Sequence, residues 1–176
     1  MEKKKIILAV ISIFLISIWL FPNQAVAETW KYKIVMYFTR AEYAPIPAME
    51  GLAYALFEYK GLASWENGET SFYSGAAIGE FYQGKGPVQN CVVQTFADGS
   101  TIVTKNRFIN ISAPDGKTSL YQDITGEIVK GSGRFEGIKG TTTAKGKRLA
   151  PISPGLKEMR GDAVVEGSMT FTLPSK

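Results

Sequence analysis

The sequence of 176 residues predicts an all-β protein with a single small antiparallel β-barrel of about eight strands. Beyond residue 27, no long stretch repeats its apolar residues with helical spacing, and many short segments alternate with period two. Turn signals such as Asp98-Gly99 separate these segments. About eight strands joined mostly by short turns suit a closed barrel, which has no exposed sheet edge. A β-sandwich fits the same periodicity and stays open as an alternative.

The first 27 residues predict a signal peptide that is removed on export. Lys3–Lys5 form a charged start, Ile6–Leu20 is an unbroken apolar run, and Ala25–Ala27 offers the small-x-small site that signal peptidase cuts. The apolar run is shorter than the ~20 residues of a spanning helix, which disfavours a retained anchor. We therefore expect a periplasmic or extracellular domain of residues 28–176, which meets the membrane only through the signal before cleavage. The lysine-rich start is typical of bacterial signals.

The composition excludes several classes of function. Removal of residues 1–27 takes away three lysines and one glutamate, so 17 basic and 15 acidic residues remain, a net charge of +2. This balance gives no reason to expect nucleic-acid binding. The chain has no histidine, which removes Ser-His and Cys-His catalysis and histidine-ligated zinc, and we expect no metal site. Cys91 is the one cysteine and is interpreted as a small buried hydrophobe.

The first half of the domain alternates around a proline-containing interruption. The first predicted strand, Thr29–Thr39, carries aromatic and aliphatic residues on one face and lysines on the other. Arg40–Gly51 contains two prolines and is therefore predicted to be a long loop. A loop of this length either covers a barrel mouth or decorates the surface. Strands are predicted next at Leu52–Leu62 and Ser71–Gln83, separated by the turn Glu66–Gly68.

The second half repeats this pattern of strands and tight turns. Gly84–Pro87 turns the chain into the next strand, Asp98-Gly99 marks a hairpin, and Pro114–Gly116 marks a further turn. The final segment alternates most regularly of all. The predicted strands of this half are Val88–Phe96, Ser100–Ser112, Thr118–Lys130, the short run Thr141–Thr143, and Glu158–Leu173.

Residues Gly131–Gly140 predict a tight, bulged corner between two strands, because their four glycines permit positive φ angles and close backbone approach. The run Gly-Ser-Gly-Arg-Phe-Glu-Gly-Ile-Lys-Gly is similar to the glycine-rich corner of the allene oxide cyclase and dirigent barrel superfamily. The turn Phe96–Ser100 gives a second, moderate match. The resemblance extends from Lys31 to about Leu173, although outside these two motifs it consists only of barrel-like strands.

The resemblance implies a small antiparallel barrel, often trimeric, with a lipophilic cavity and no cofactor. Members of the superfamily are plant fatty-acid epoxide cyclases, dirigent proteins that guide phenoxy-radical coupling, and bacterial cyclases. The plant cyclases carry a Glu-x-Asn pair on their first strand, where this chain has Tyr37 and Thr39, and a cavity cysteine that falls near Ile78. We therefore transfer no catalytic residue from them, since a fold is inherited more widely than a reaction.

Glu80 is the candidate catalytic residue, because it lies in phase with the apolar residues Phe72, Ala76, Ile78 and Tyr82. A carboxylate held inside an apolar barrel suits proton transfer or binding of the polar end of a ligand. The alternative is a position at the barrel rim, in contact with solvent.

Four amides and four aromatic residues are the candidate ligand-binding set. The amides share faces with apolar residues and, if those faces point inward, form a ring of neutral hydrogen-bonding groups. The alternative for the amides is mutual or backbone satisfaction, and that for the aromatic residues is an ordinary core. The amides are Asn90, Gln94, Asn106 and Gln122, and the aromatic residues are Tyr54, Phe57, Tyr82 and Phe108.

Three hypotheses of function follow. In the first, the exported barrel binds a lipophilic small molecule in its interior. In the second, it is a cofactor-free cyclase or isomerase that depends on Glu80. In the third, it is a solid-cored structural or interaction module whose interior is filled by Trp30, Phe57, Tyr82 and Phe108. A homo-oligomer, a trimer by the resemblance, is compatible with each hypothesis.

Overall fold

A computed structural model describes residues 26–114, 118–149 and 163–174 of the chain. These residues form a closed antiparallel barrel in which each strand pairs with its neighbours in sequence, and β1 pairs with β8 to close the ring. The predicted all-β barrel is confirmed, and the sandwich alternative is excluded. The strands are β1 Glu28–Pro45, β2 Leu52–Trp65, β3 Thr70–Tyr82, β4 Gly86–Phe96, β5 Thr101–Ser112, β6 Ser119–Ser132, β7 Lys139–Arg148 and β8 Ala163–Thr172.

Two sequence predictions fall wholly or partly outside the described residues. The predicted signal peptide, residues 1–27, overlaps them only at Val26 and Ala27. The predicted last strand begins at Glu158, whereas the description resumes at Ala163, the first residue of β8. Across the described ranges, no helix has the length and apolar character needed to span a membrane.

The predicted long loop Arg40–Gly51 is wrong over its first half, because β1 continues to Pro45 and pairs there with Ala53 of β2. The two prolines that predicted the loop do not interrupt the strand, because Pro45 is its last residue and Pro47 lies beyond it. A β-bulge between Phe38 and Arg40 lies inside the strand. The extra residue shifts the alternation by one position, so that the period-two pattern breaks while the hydrogen-bonded ladder continues. The connection between β1 and β2 is only residues 46–51.

One end of the barrel is closed by an aromatic plug, which we define as Trp30, Trp65, Phe96, Phe135 and Phe171. Each ring contacts another member at a centroid distance between 4.9 and 6.1 Å. Most of these pairs meet edge to face, the arrangement that aromatic quadrupoles favour. We call this the closed end, and the opposite end, where β1 finishes and β2 begins, the open end.

The glycine-rich corner carries one ring of this plug and is a corner, as predicted. β6 ends at Ser132, a short 3-10 turn spans Gly133–Phe135, and β7 begins at Lys139. A β-carbon at Gly131 would collide with the carbonyl oxygen of Phe135, and Gly133 has a φ of +63°. Glycine at these two positions therefore lets the chain fold Phe135 back into the barrel, where it is 1% exposed.

Candidate functional site

The interior above the plug contains a cavity of about 50 Å³ that extends toward the open end. Its walls are mainly aromatic and aliphatic side chains, among them Phe57 and Phe108, two members of the predicted binding set. Neutral polar groups interrupt these walls at several levels of the barrel. The polar groups of the lining include Asn90, Gln94, Thr104, Asn106, Asn110 and Thr142.

Asn106 is the centre of a hydrogen-bonded cluster on this wall. Its amide nitrogen donates to Asn90 Oδ1 at 2.8 Å and to Thr104 Oγ1 at 3.1 Å. Its amide oxygen accepts a hydrogen bond from the Thr142 hydroxyl at 2.7 Å. Asn90 and Asn106 are directly opposite each other on β4 and β5, which is why their amides meet. The cluster satisfies the Asn106 amide inside the barrel and fixes its orientation.

Gln94 also lies inward, although its contacts connect it to the closed end. Its Oε1 accepts a hydrogen bond from Ser71 Oγ at 3.3 Å, and Ser71 Oγ accepts one from Trp65 Nε1 at 3.0 Å. All three residues are buried. Gln94 therefore satisfies polar atoms beneath the plug as well as lining the cavity floor.

Two buried polar atoms beside the cavity have no hydrogen-bond partner among the described residues: the Tyr59 hydroxyl and Asn110 Oδ1. Tyr59 is 4% exposed and stacks on Tyr73 at 5.8 Å. Its hydroxyl lies near the polar groups of both Tyr73 and Asn90, but neither contact has the geometry of a hydrogen bond. The Asn110 amide nitrogen donates to the Gly84 carbonyl at 2.8 Å, which turns Oδ1 away from that contact. Native structures leave few such atoms unpaired.

The interior favours neutral groups. Burial raises the pKa of Tyr32 to about 12 and raises those of Tyr59 and Tyr73 well above the usual range. Because desolvation penalises the charged form, these phenols keep their protons at neutral pH and act as hydrogen-bond donors. A charged group placed beside them would carry the same penalty.

Among the residues that the structure describes, individual side chains lie over the open end. Tyr43, 42% exposed, sets its ring against Phe57 edge to face at 5.7 Å. The Arg148 guanidinium lies over the Phe38 ring at 5.6 Å, and its Nε donates to the Tyr121 hydroxyl at 3.4 Å. Burial raises the pKa of Tyr43, while Arg148 opposes this shift. Within the described ranges, Arg148 therefore lines the cavity toward the open end, and Tyr43 packs on Phe57 of its wall.

The expected interior carboxylate is wrong: Glu80 lies on the outer surface of β3, with Tyr54 and Tyr82 also outside the barrel. The Tyr54 hydroxyl donates to Glu80 Oε2 at 3.0 Å across the β2–β3 pair. The alternation on β3 misleads because both faces are apolar; the inward face carries Tyr73, Ala77 and Phe81. The three outward residues do not line the interior cavity.

The structure also places Gln122 and Cys91 on the outer surface, where neither was predicted to lie. A bulge in β6 between Tyr121 and Ile124, where Asp123 has a φ of +51°, turns Gln122 outward and Tyr121 inward. Cys91 is free and exposed instead of buried, because its side chain lies on the outer face of β4.

Several residues of the site were not in the predicted set. Tyr59, Thr142, Asn110 and Arg148 all line the cavity. Asn110 had a signal in the sequence, since it continues the inward phase of Asn106 and Phe108 on β5. Tyr59 shares a face with Phe57 and resembles any core tyrosine, so nothing in the sequence distinguishes its hydroxyl.

No family model, curated protein or solved structure matches this chain. The barrel therefore rests on the strand pairing described above.

Proposed function

We propose that this chain is an exported barrel that binds a lipophilic small molecule in the open half of its interior. The observation that carries the proposal is the pair of unpartnered polar atoms, the Tyr59 hydroxyl and Asn110 Oδ1, set in a mainly apolar cavity. Ligand pockets typically combine apolar walls with a few placed polar groups. A ligand that carries a hydroxyl or carbonyl group would satisfy one or both atoms.

The size of the cavity restricts how a ligand enters. At about 50 Å³ it has room for a few water molecules, whereas drug-sized ligands occupy roughly 300 Å³ or more. Binding therefore requires side chains at the mouth to move. Tyr43 and Arg148 are suited to this because each is only partly buried. We expect the ligand to be neutral where it contacts Tyr59, since the raised phenol pKa values indicate a strong penalty on charge there.

A cofactor-free cyclase or isomerase is the second candidate, and the Tyr59 hydroxyl favours it specifically. A protonated phenol with no other partner can donate to an oxygen on which negative charge develops during a reaction. The resemblance to allene oxide cyclases and dirigent proteins supports this candidate. Glu80 has no place in it, so Glu80→Gln should change neither ligand affinity nor turnover.

The solid-cored module is the competing interpretation. This interpretation requires large side chains inside the barrel, and Phe57, Phe108 and Trp30 lie there. Tyr82, the fourth residue that it names, lies outside the barrel. The small cavity is also compatible with it. The two interpretations differ in whether the barrel retains a molecule when it is purified.

Native mass spectrometry tests the binding proposal on protein purified gently from its own host. We expect a discrete small-molecule adduct that is lost in Tyr59→Phe and kept in Tyr54→Phe, a matched removal of a hydroxyl on the outer surface. A bare mass, repeated after incubation with lipid extracts, would contradict binding and favour the solid-cored module.

The export proposal has a separate test. N-terminal sequencing of protein recovered outside the cytoplasm should give Glu28 as the first residue. Recovery of the chain only in the cytoplasm with residues 1–27 intact would contradict export without affecting the binding result.

A further inference from the structure

The two unpaired polar atoms of the cavity, the Tyr59 hydroxyl and Asn110 Oδ1, differ in what they can bind. Burial raises the pKa of Tyr59 well above its usual range, so the phenol keeps its proton and can donate a hydrogen bond. An amide oxygen can only accept one. Tyr59 therefore requires an acceptor on the ligand and Asn110 requires a donor. The ligand chemistry that follows from this difference rests on the proposed function, since it concerns the same cavity.

The orientation of the Asn110 amide is fixed by the turn between β3 and β4. Its nitrogen donates to the Gly84 carbonyl at 2.8 Å, and a reversed amide would place two oxygens against each other at this contact. The Asn110 side chain is 3% exposed, so Oδ1 is held inside the barrel as an acceptor. A buried acceptor without a partner costs free energy, which a donor on the ligand would recover.

The Tyr59 hydroxyl lies beside a second group that can donate, the amide of Asn90. Asn90 Oδ1 already accepts a hydrogen bond from Asn106 at 2.8 Å, which leaves the Asn90 amide nitrogen as the group that this side chain can offer to a ligand. Both groups are donors and neither carries a charge. An uncharged acceptor, such as the oxygen of a ketone or an ether, therefore suits this level of the cavity.

Strand register separates these donors from the acceptor of Asn110. Asn106 lies opposite Asn90, and Asn110, four residues further along β5, lies opposite Gly86 at the start of β4. Four residues of an extended strand span roughly 13 Å. β4 begins at the open end, because β3 ends there opposite Leu52, the first residue of β2. The donors therefore lie deeper in the barrel than the acceptor, and a ligand satisfies both with two separate polar groups.

We propose that the ligand is an elongated lipophile with two uncharged oxygen groups, of the class of long-chain hydroxy ketones and hydroxy ethers. Its ketone or ether oxygen accepts a hydrogen bond from Tyr59 at the inner end, and its hydroxyl donates to Asn110 Oδ1 near the mouth. The apolar chain between them contacts the walls to which Phe57 and Phe108 belong. A carboxylate in place of the hydroxyl is disfavoured beside Asn110, because its oxygens and Oδ1 are all acceptors.

Calorimetric titration of the purified chain, washed free of any retained molecule with a hydrophobic resin, tests the proposal with four probes. The first is a twelve-carbon methyl ketone with a hydroxyl at its far end. The others are the same ketone without the hydroxyl, the alcohol without the ketone, and the ketone with a methoxy group in place of the hydroxyl. The hydroxy ketone should bind about tenfold more tightly than each of the others. Because a methoxy oxygen accepts but cannot donate, equal binding of the methoxy ketone would overturn the contact with Asn110 without any change to the protein.

Two variants locate the contacts on the protein. Tyr59→Phe should bind the hydroxy ketone only as tightly as the alcohol, and Asn110→Leu should bind it only as tightly as the ketone without a hydroxyl. Tyr54→Phe and Gln122→Leu make matching changes on the outer surface and should bind the hydroxy ketone as the unmodified chain does. Circular dichroism confirms that each variant is folded.

The outcomes distinguish the polarity of the ligand from binding itself. Four probes that bind equally well would overturn the hydroxy ketone class and leave a barrel that binds lipophiles. Tighter binding of the matching keto acid would also overturn it, because a carboxylate would then bind Arg148, the charged residue of the cavity lining. No binding of any probe, by a chain that retains a host molecule when purified, would overturn this class alone. No binding by a chain that retains none would contradict the proposed function as well.

Discussion

The two ends of the barrel are filled in different ways. The closed end packs five aromatic rings against one another, and its internal polar atoms are paired, as in the chain from Trp65 through Ser71 to Gln94. The open half places neutral polar groups around a cavity and leaves the Tyr59 hydroxyl and Asn110 Oδ1 unpaired. The closed end is packed like an ordinary protein core, whereas the unpaired polar atoms of the open half lower the free energy of unfolding.

Phe135→Ala should give the largest loss of stability. Phe135 is 1% exposed and contacts two other plug rings, so its truncation should cost about 3–5 kcal/mol of the free energy of unfolding. Phe108→Ala removes a half-buried ring beside the cavity, and roughly half that loss is expected. Urea unfolding measures both. Equal losses would contradict the difference between the ends.

Asn106→Ala should come next, with a loss of about 1–3 kcal/mol. The change leaves the side-chain oxygen Oδ1 of Asn90 and the Thr142 hydroxyl without their present partner inside the barrel. Gln122→Ala, which removes an outward amide from β6, should stay within about 0.5 kcal/mol and serves as the matched control. A similarly small effect for Asn106→Ala would mean that water from the cavity replaces the amide.

Arg134→Gln should have a smaller, pH-dependent effect at the closed end. Arg134 binds Glu69 through two nitrogens at 2.6 and 2.7 Å and lies over the Phe96 and Phe135 rings, which together suggest about 1 kcal/mol. The Arg134 guanidinium lowers the pKa of Glu69 below 4.5, so this stabilisation is present above pH 4.5 and is lost as pH falls through the lowered pKa.

Thermal unfolding between pH 3 and pH 7, compared with the unmodified chain, measures this effect. The difference in Tm should be largest at neutral pH and shrink in acid. Lys33→Gln breaks the more exposed bridge to Glu166 and should change Tm less. A difference in Tm that does not vary with pH would assign the effect of Arg134 to its ring contacts alone.

Tyr59→Phe should have the smallest effect on stability, and its direction is informative. Removing a buried hydroxyl that has no partner should leave stability unchanged or raise it by up to about 1 kcal/mol. Tyr54→Phe, which removes an exposed hydroxyl bonded to Glu80, controls for the substitution itself. A clear loss in Tyr59→Phe, measured by urea unfolding, would reveal a partner for that hydroxyl.

The barrel class, most of the strands and the glycine-rich corner could be predicted because each depends on local patterns. On β4, polar Asn90 and Gln94 alternate with outward residues in the same phase as Val88 and Phe96, so the inward face followed from the sequence. On β3 the same reasoning fails, because both faces of the strand are hydrophobic. Phe72 and Ile78 lie on the outer face, and Tyr73 and Phe81 lie on the inner face. Apolar outer surface and core look alike when no partner is known.

The bulges account for a second kind of error. Neither the shift after Phe38 nor that at Asp123 is marked by glycine or proline at those positions, so no residue there indicated a change of phase. Each bulge moves the side chains that follow it to the other face of the strand. Because the prediction assumed one phase throughout β6, it placed Gln122 inside, whereas Gln122 lies on the outer surface of the barrel. The hydroxyl of Tyr59 was missed for a different reason, because its lack of a partner depends on three neighbouring strands.

The pairing of β1 with β8 sets the order in which this chain can fold. Thr29 and Thr170 join their hydroxyls at 2.9 Å although 141 positions separate them. The ring therefore cannot close until synthesis has passed the final strand, and until then β1 and β7 both present unpaired edges. A nascent or truncated chain that ends before Ala163 is an open sheet, with edges able to pair with other chains. Completion of the last ten-residue strand converts that sheet into a barrel with no free edge.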